Sequence, residues 1–160
     1  VMVKSGDGKD KIVTGFGNDW VHCVGKCEVS TRAGHDVIIG DVLYINGGSG
    51  YDVFLSTAIN GTKIDMGTSS IEAFYGTNNH DIVNATLSYS GVYIKSGAGK
   101  DDVIGSEHDD IILVEEDIGF VNAGKGNDII SLALTADFSK IKAGPGNDTI
   151  LIEASKPVEI

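Results

Sequence analysis

An all-β fold of short parallel strands stacked into a solenoid is what this sequence predicts, and three observations carry the prediction. The pattern Gly-x-Gly-x-Asp occurs six times in 160 residues. Each copy has an apolar residue two places after its Asp, and the copies recur at separations that suit successive turns of one coil. With 22 Gly in the chain, independent placement would give about 0.3 such matches on composition alone, so the repeat is not chance. A tight loop followed by a strand of about three residues cannot cover its own apolar face; stacking each turn on its neighbour does so.

Taken in chain order, GDGKD places Gly6, Gly8 and Asp10 ahead of Ile12, and GFGND places Gly15, Gly17 and Asp19 ahead of Val21. RAGHD keeps Gly34 and Asp36 before Ile38, and GSGYD sets Gly48, Gly50 and Asp52 before Phe54. TNNHD retains only Asp81, before Val83; GAGKD supplies Gly97, Gly99 and Asp101 before Val103; SEHDD retains Asp110 before Ile112. GKGND gives Gly124, Gly126 and Asp128 before Ile130, and GPGND gives Gly144, Gly146 and Asp148 before Ile150. Asp10 and Asp19 are 9 residues apart, as are Asp101 and Asp110, which suits loops on opposite sides of one turn. The series Asp19, Asp36, Asp52, the pair Asp81, Asp101 and the series Asp110, Asp128, Asp148 step by 16 to 20 residues and suit successive turns on one side. The pattern lapses between Asp52 and Asp81, so an irregular insertion is expected near residues 55–75, within a single module spanning 1–160 that forms part of a longer protein. Helix is not expected, because apolar residues fall in short β-branched runs cut by Gly and Asp.

The loop residues point to a metal. Glycine permits the φ that turns carbonyl oxygens toward one point, and Asp adds a carboxylate. Such hard oxygen ligands suit Ca²⁺ with its 6 to 8 oxygens and tolerant geometry, and Mg²⁺ less well. Soft or redox metals are disfavoured, since Cys and His do not recur in the repeat. One loop offers too few oxygens, so a site is shared by loops of adjacent turns. Stacking also crowds like charges, which repel unless a cation or proton intervenes. Ion at about ten times a dissociation constant in the extracellular-module range stabilises by about 1.4 kcal/mol per site. A single Gly-x-Gly-x-Asp is read more simply as a turn in which Asp caps its own backbone; six strict and three loose copies in stacking register favour the ion.

These loops resemble the RTX (hemolysin-type) calcium-binding nonapeptide-repeat family, whose unit is Gly-Gly-x-Gly-x-Asp-x-U-x with U apolar. GGSGYDVFL at 47–55 matches it most fully, and NAGKGNDII and KAGPGNDTI are close. The resemblance covers most of the chain apart from about residues 55–75 and the last few. It implies a right-handed parallel β-roll, calcium ions held by the Gly and Asp residues named above, and export to the outside of a bacterial cell, secreted or at its surface, with folding triggered there by calcium. Departures at Arg32, Thr77, Asn79, Ser106 and His108 imply weak or empty sites at their loops.

The remaining residues narrow the function further. With 12 Lys+Arg against 23 Asp+Glu the net charge is -11, and there is no basic cluster to meet nucleic acid or anionic lipid. No apolar run approaches the roughly 18 residues of a spanning helix, so membrane insertion is not expected. The chain has a single Arg, Arg32, too few for the catalytic set of a polysaccharide lyase or epimerase, and a non-enzymatic role is expected. His35 and His80 precede repeat Asp residues and are read as solvent-facing loop side chains. Cys23 and Cys27 flank the segment VGKCE, where the first Gly is lost and Glu28 stands at the Asp position. A disulfide stapling that turn, two free thiols, and a metal site with His22 are the three readings of the pair. Besides calcium ions, the partners left open are an acidic glycan bridged by calcium and a second copy meeting the solenoid ends.

Overall fold

The computed structural model describes residues 1–116, 118–133 and 141–153. Its elements run β1 (Met2–Lys4), β2 (Lys9–Val13), β3 (Trp20–Ser30), β4 (Val37–Asn46), β5 (Val53–Ser56), β6 (Lys63–Asp65), α1 (Met66–Ser69), β7 (Ala73–Tyr75) and β8 (Ile82–Asn84). They continue as β9 (Tyr93–Lys95), β10 (Asp101–Ile104), β11 (Ile111–Val114), β12 (Ile118–Asn122), β13 (Ile129–Ala133), β14 (Ile141–Lys142) and β15 (Thr149–Glu153). Every pairing among the described strands is parallel, and the chain winds through about 8 turns of a β-solenoid.

Two ladders form its sides. The first passes through β1, β3, β4, β5, β7, β9, β11, β13 and β15. It aligns Val3, Val21, Ile38, Phe54, Phe74, Ile94, Ile112, Ile130 and Ile150, of which all but Val3, Phe74 and Ile94 are the apolar followers that the repeat marks. The second aligns Ile12, Val29 and Ile45 through β2 and the later halves of β3 and β4. It resumes with Ile64, Val83, Val103, Val121 and Ile141 through β6, β8, β10, β12 and β14. Side chains alternate across each strand, so one residue per rung enters the core while its neighbours face out. From Val21 to Ile130 the first row is buried, and Phe54 and Phe74 pack with ring centroids 5.7 Å apart. Burying each such side chain is worth about 1.5 to 3 kcal/mol, gained only when the next turn is in place.

Where an irregular insertion was expected near residues 55–75, the coil continues: Ile64, Met66, Ile71 and Phe74 all enter the core. The helix α1 was not expected. It is four residues long, too short to leave a periodic pattern, and starts where the Asp65 carboxylate accepts the Thr68 N–H at 2.9 Å. Here the second ladder is interrupted: among the described residues nothing pairs Val42–Asn46 of β4 with β6. The segment VGKCE also differs from expectation. It stays within β3, and Cys27 rather than Glu28 stands opposite Asp10. Gly25 allows this close approach, since a Cβ there would lie 2.2 Å from the Gly8 carbonyl oxygen.

Candidate metal centre

The ladders place the Asp residues at the solenoid corners, each two residues before an inward apolar side chain. One corner carries Asp19, Asp36 and Asp52, followed by Glu72. Their carboxylates form a vertical relay: the Asp19 N–H donates to Asp36 Oδ1 at 2.7 Å, the Asp36 N–H to Asp52 Oδ1 at 2.9 Å, and the Asp52 N–H to Glu72 Oε2 at 2.7 Å. Farther along the same corner the Val92, Asp110 and Asp128 N–H groups donate to Asp110, Asp128 and Asp148 Oδ1 at 2.8, 2.9 and 3.0 Å. On the opposite corner the Asp81 N–H donates to Asp101 Oδ1 at 2.8 Å. One carboxylate oxygen of each repeat Asp in these relays is thus committed to an adjacent turn's backbone.

The other oxygen decides the chemistry. Oδ2 of Asp10, Asp19, Asp36, Asp52, Asp101 and Asp128 is buried with no hydrogen-bond partner. An ionised carboxylate without a partner in such a place is costly. Burial accordingly pushes Asp52 and Asp101 up to about 6, and it raises Asp110, Asp128 and Glu72 above the usual carboxylate range. A cation would supply such a partner. The backbone around it is equally specific: a Cβ on Gly50 would lie 1.7 Å from the Gly34 carbonyl oxygen, and one on Gly146 would lie 1.6 Å from that of Gly126. Only a residue without a side chain lets one loop's carbonyls close against the next loop. Among the described residues no three His, Cys, Asp or Glu side chains converge, so an ion held here draws most of its oxygens from the backbone. That donor set fits Ca²⁺.

The sequence-predicted residues divide by position. The loops ending at Asp19, Asp36 and Asp52 stack directly, as do those ending at Asp128 and Asp148. Arg32 holds φ +73° at a position that glycine fills elsewhere, and its carbonyl accepts the Ser49 N–H at 2.7 Å. The Arg32 loop therefore keeps the glycine-type shape despite its side chain. Gly97, Gly99 and Asp101 lie against the Thr77 loop, whereas Asp10 faces Cys27 and has no second glycine loop beside it. Asp81 and Asp110 differ from the rest in having both oxygens engaged, through Thr77 and Ser106.

Sequence reasoning missed Glu72, which occupies the Asp position two residues before Phe74 without a Gly-x-Gly to announce it. His35 is exposed, as expected of a solvent-facing loop side chain, and its ring Nδ1 accepts the Tyr51 N–H at 2.8 Å while its own N–H donates to Asn18 Oδ1 at 2.9 Å. Asp109, Asn127 and Asn147 make the same kind of outer relay on later turns. Cys23 and Cys27 are a close pair, with Cα atoms 6.0 Å apart.

A two-ladder parallel solenoid with glycine loops and buried carboxylates at its corners is the arrangement that the RTX resemblance implies. A family model described as the RTX calcium-binding nonapeptide repeat (4 copies) matches residues 3–22, which contain the first two strict loops. Beyond the matched residues, the whole described chain is folded as a parallel β-solenoid. No curated protein matches it.

Proposed function

We propose that this chain is a structural module, secreted or displayed at a cell surface, that folds when calcium enters between its stacked loops. The observation that carries the reading is the set of buried Oδ2 atoms without partners. They make the ion-free fold electrostatically strained, and divalent cations relieve that strain. Complete sites need two glycine-type loops in contact: the Asp19 loop with the Asp36 loop, the Asp36 loop with the Asp52 loop, and the Asp128 loop with the Asp148 loop, three in all. The ligands are the Asp carboxylates together with carbonyls of residues such as Arg32, Gly34, Gly124 and Gly126. Gly6, Gly8, Asp10, Gly97, Gly99 and Asp101 supply half-sites. A non-catalytic role is supported by the commitment of the relay carboxylates to adjacent backbone.

A low-calcium interior would leave the glycine-loop turns open until export, and millimolar calcium outside would then close them. Far-ultraviolet circular dichroism in EGTA, then in millimolar Ca²⁺ with Mg²⁺ as control, tests this: β-structure and the melting point should both rise with calcium alone, and an unchanged spectrum and melting point would sink the proposal. The close cysteine pair is read as a disulfide suited to an oxidising exterior. Alkylation of the native protein without prior reduction should add no mass.

A further inference from the structure

Two loops that look defective in sequence are built alike. In the first, the Thr77 N–H donates to Asp81 Oδ2 at 2.7 Å, and the Thr77 hydroxyl lies 3.3 and 3.2 Å from the two carboxylate oxygens. In the second, the Ser106 N–H donates to Asp110 Oδ2 at 2.6 Å and its hydroxyl to Oδ1 at 2.7 Å. Each hydroxyl oxygen also accepts the N–H two residues on, from Asn79 and from His108, at 3.0 Å in both cases. Each carboxylate nestles against a preceding glycine, since a Cβ on Gly76 or Gly105 would lie 2.6 or 2.5 Å from the Asp oxygen. Neither Asp81 nor Asp110 has a buried oxygen without a partner.

The control is already in the molecule. The loop at Gly47–Asp52 also begins with a glycine pressed against its carboxylate, with a Cβ distance of 2.5 Å, but has Gly48 where the others have Thr77 and Ser106. There Asp52 Oδ2 is left without a partner. The backbones diverge as well: Gly124 and Gly126 hold φ +111° and +128°, whereas Ser106 and His108 directly beneath them do not enter the positive-φ region.

We propose that Thr77 and Ser106 determine which loops take calcium: their hydroxyls and amides occupy the carboxylate that an ion would otherwise claim, so the Thr77–Asp81 and Ser106–Asp110 loops close without metal. This rests on the calcium reading of the glycine loops. Calcium then acts at selected corners, and the turns around Asp81 and Asp110 carry ion-independent joints. Restoring glycine should create sites, because each latched loop already lies on a glycine loop, Gly97–Asp101 or Gly124–Asp128.

Native mass spectrometry of the full chain in calcium counts the ions. Wild type should carry three, and Thr77→Gly/Asn79→Gly and Ser106→Gly/His108→Gly should each carry one more. Variants that fold in calcium with the wild-type count would overturn the latch. Should a variant fail to fold, a crystal structure of the wild-type chain grown in calcium decides: ions at Asp36, Asp52 and Asp128 with none on Asp81 or Asp110 support it, and an ion coordinated by Asp81 or Asp110 refutes it. A wild-type chain without bound calcium would instead overturn the calcium function itself.

Discussion

Asp36 and Asp110 occupy the same corner of the solenoid, accept the same kind of N–H from the turn before, and are both buried. Around Asp36 the loops are of the glycine type on both sides; around Asp110 a serine has replaced the glycine. If the glycine corners hold calcium, the chain solves one electrostatic problem in two ways. A cation neutralises charge but depends on its concentration outside the protein. A hydroxyl and an amide satisfy the carboxylate from within, which keeps the joint closed at any calcium level but leaves its charge in place. Regulation in such a repeat would then be distributed turn by turn, set by the residue four places before the Asp.

The largest expected effect separates the two joints globally. Stripping calcium removes about 1.4 kcal/mol per site at tenfold excess over the dissociation constant, or about 4 kcal/mol for three sites, a sizeable fraction of a domain's stability. Melting in EGTA against calcium should show it, with hydrogen exchange fastest around Asp36 and Asp52. Next comes Gly50→Ala, whose Cβ would meet the Gly34 carbonyl and whose φ is +138°. It should cost about 3 kcal/mol by denaturant titration in calcium, whereas Asn79→Ala in a latched loop should stay within about 0.5 kcal/mol.

Charge removal sharpens the contrast further. Asp36→Asn should weaken calcium binding about tenfold by titration calorimetry, equivalent to about 1.4 kcal/mol, while Asp110→Asn should lower the melting point and leave calcium affinity unchanged. The smallest effect is that of pH. Asp52 and Asp101 titrate near 6 in the ion-free fold, above their unfolded values. Between about pH 4 and 6 the fold therefore holds more protons than the unfolded chain, and its stability in EGTA should rise as pH falls through that window. With calcium present the proton competes for the same oxygens, so the calcium midpoint measured by circular dichroism should move upward from pH 7.5 to pH 5.5.

Much of this was legible because Gly and Asp are conspicuous and their spacing is strict. The apolar follower of each repeat Asp enters its predicted row, and the 9-residue steps fall on opposite corners as the spacing requires. What escaped was set by hydrogen bonding and packing rather than by pattern. Thr77 and Ser106 read as lost glycines because a pattern records the missing residue and not the bond that replaces it. Glu72 continues the Asp relay from a loop with no Gly-x-Gly, and Ile64 carries the second ladder just before a helix too short to forecast. Cys27 displaces Glu28 from the corner because β3 runs through the bend instead of looping out.

The interruption of the second ladder has a mechanical meaning. A load applied along the solenoid axis is shared by two ladders at most rungs, but between Ile45 and Ile64 the strand pairing that crosses is that of Val37–Gly40 with Val53–Ser56, on one side only. That level is where a stretched molecule gives way first. The Asp36 and Asp52 loops meet at the same level, so an ion between them is a rivet across the weakest seam. The tension the molecule bears before parting would be set by the calcium around it.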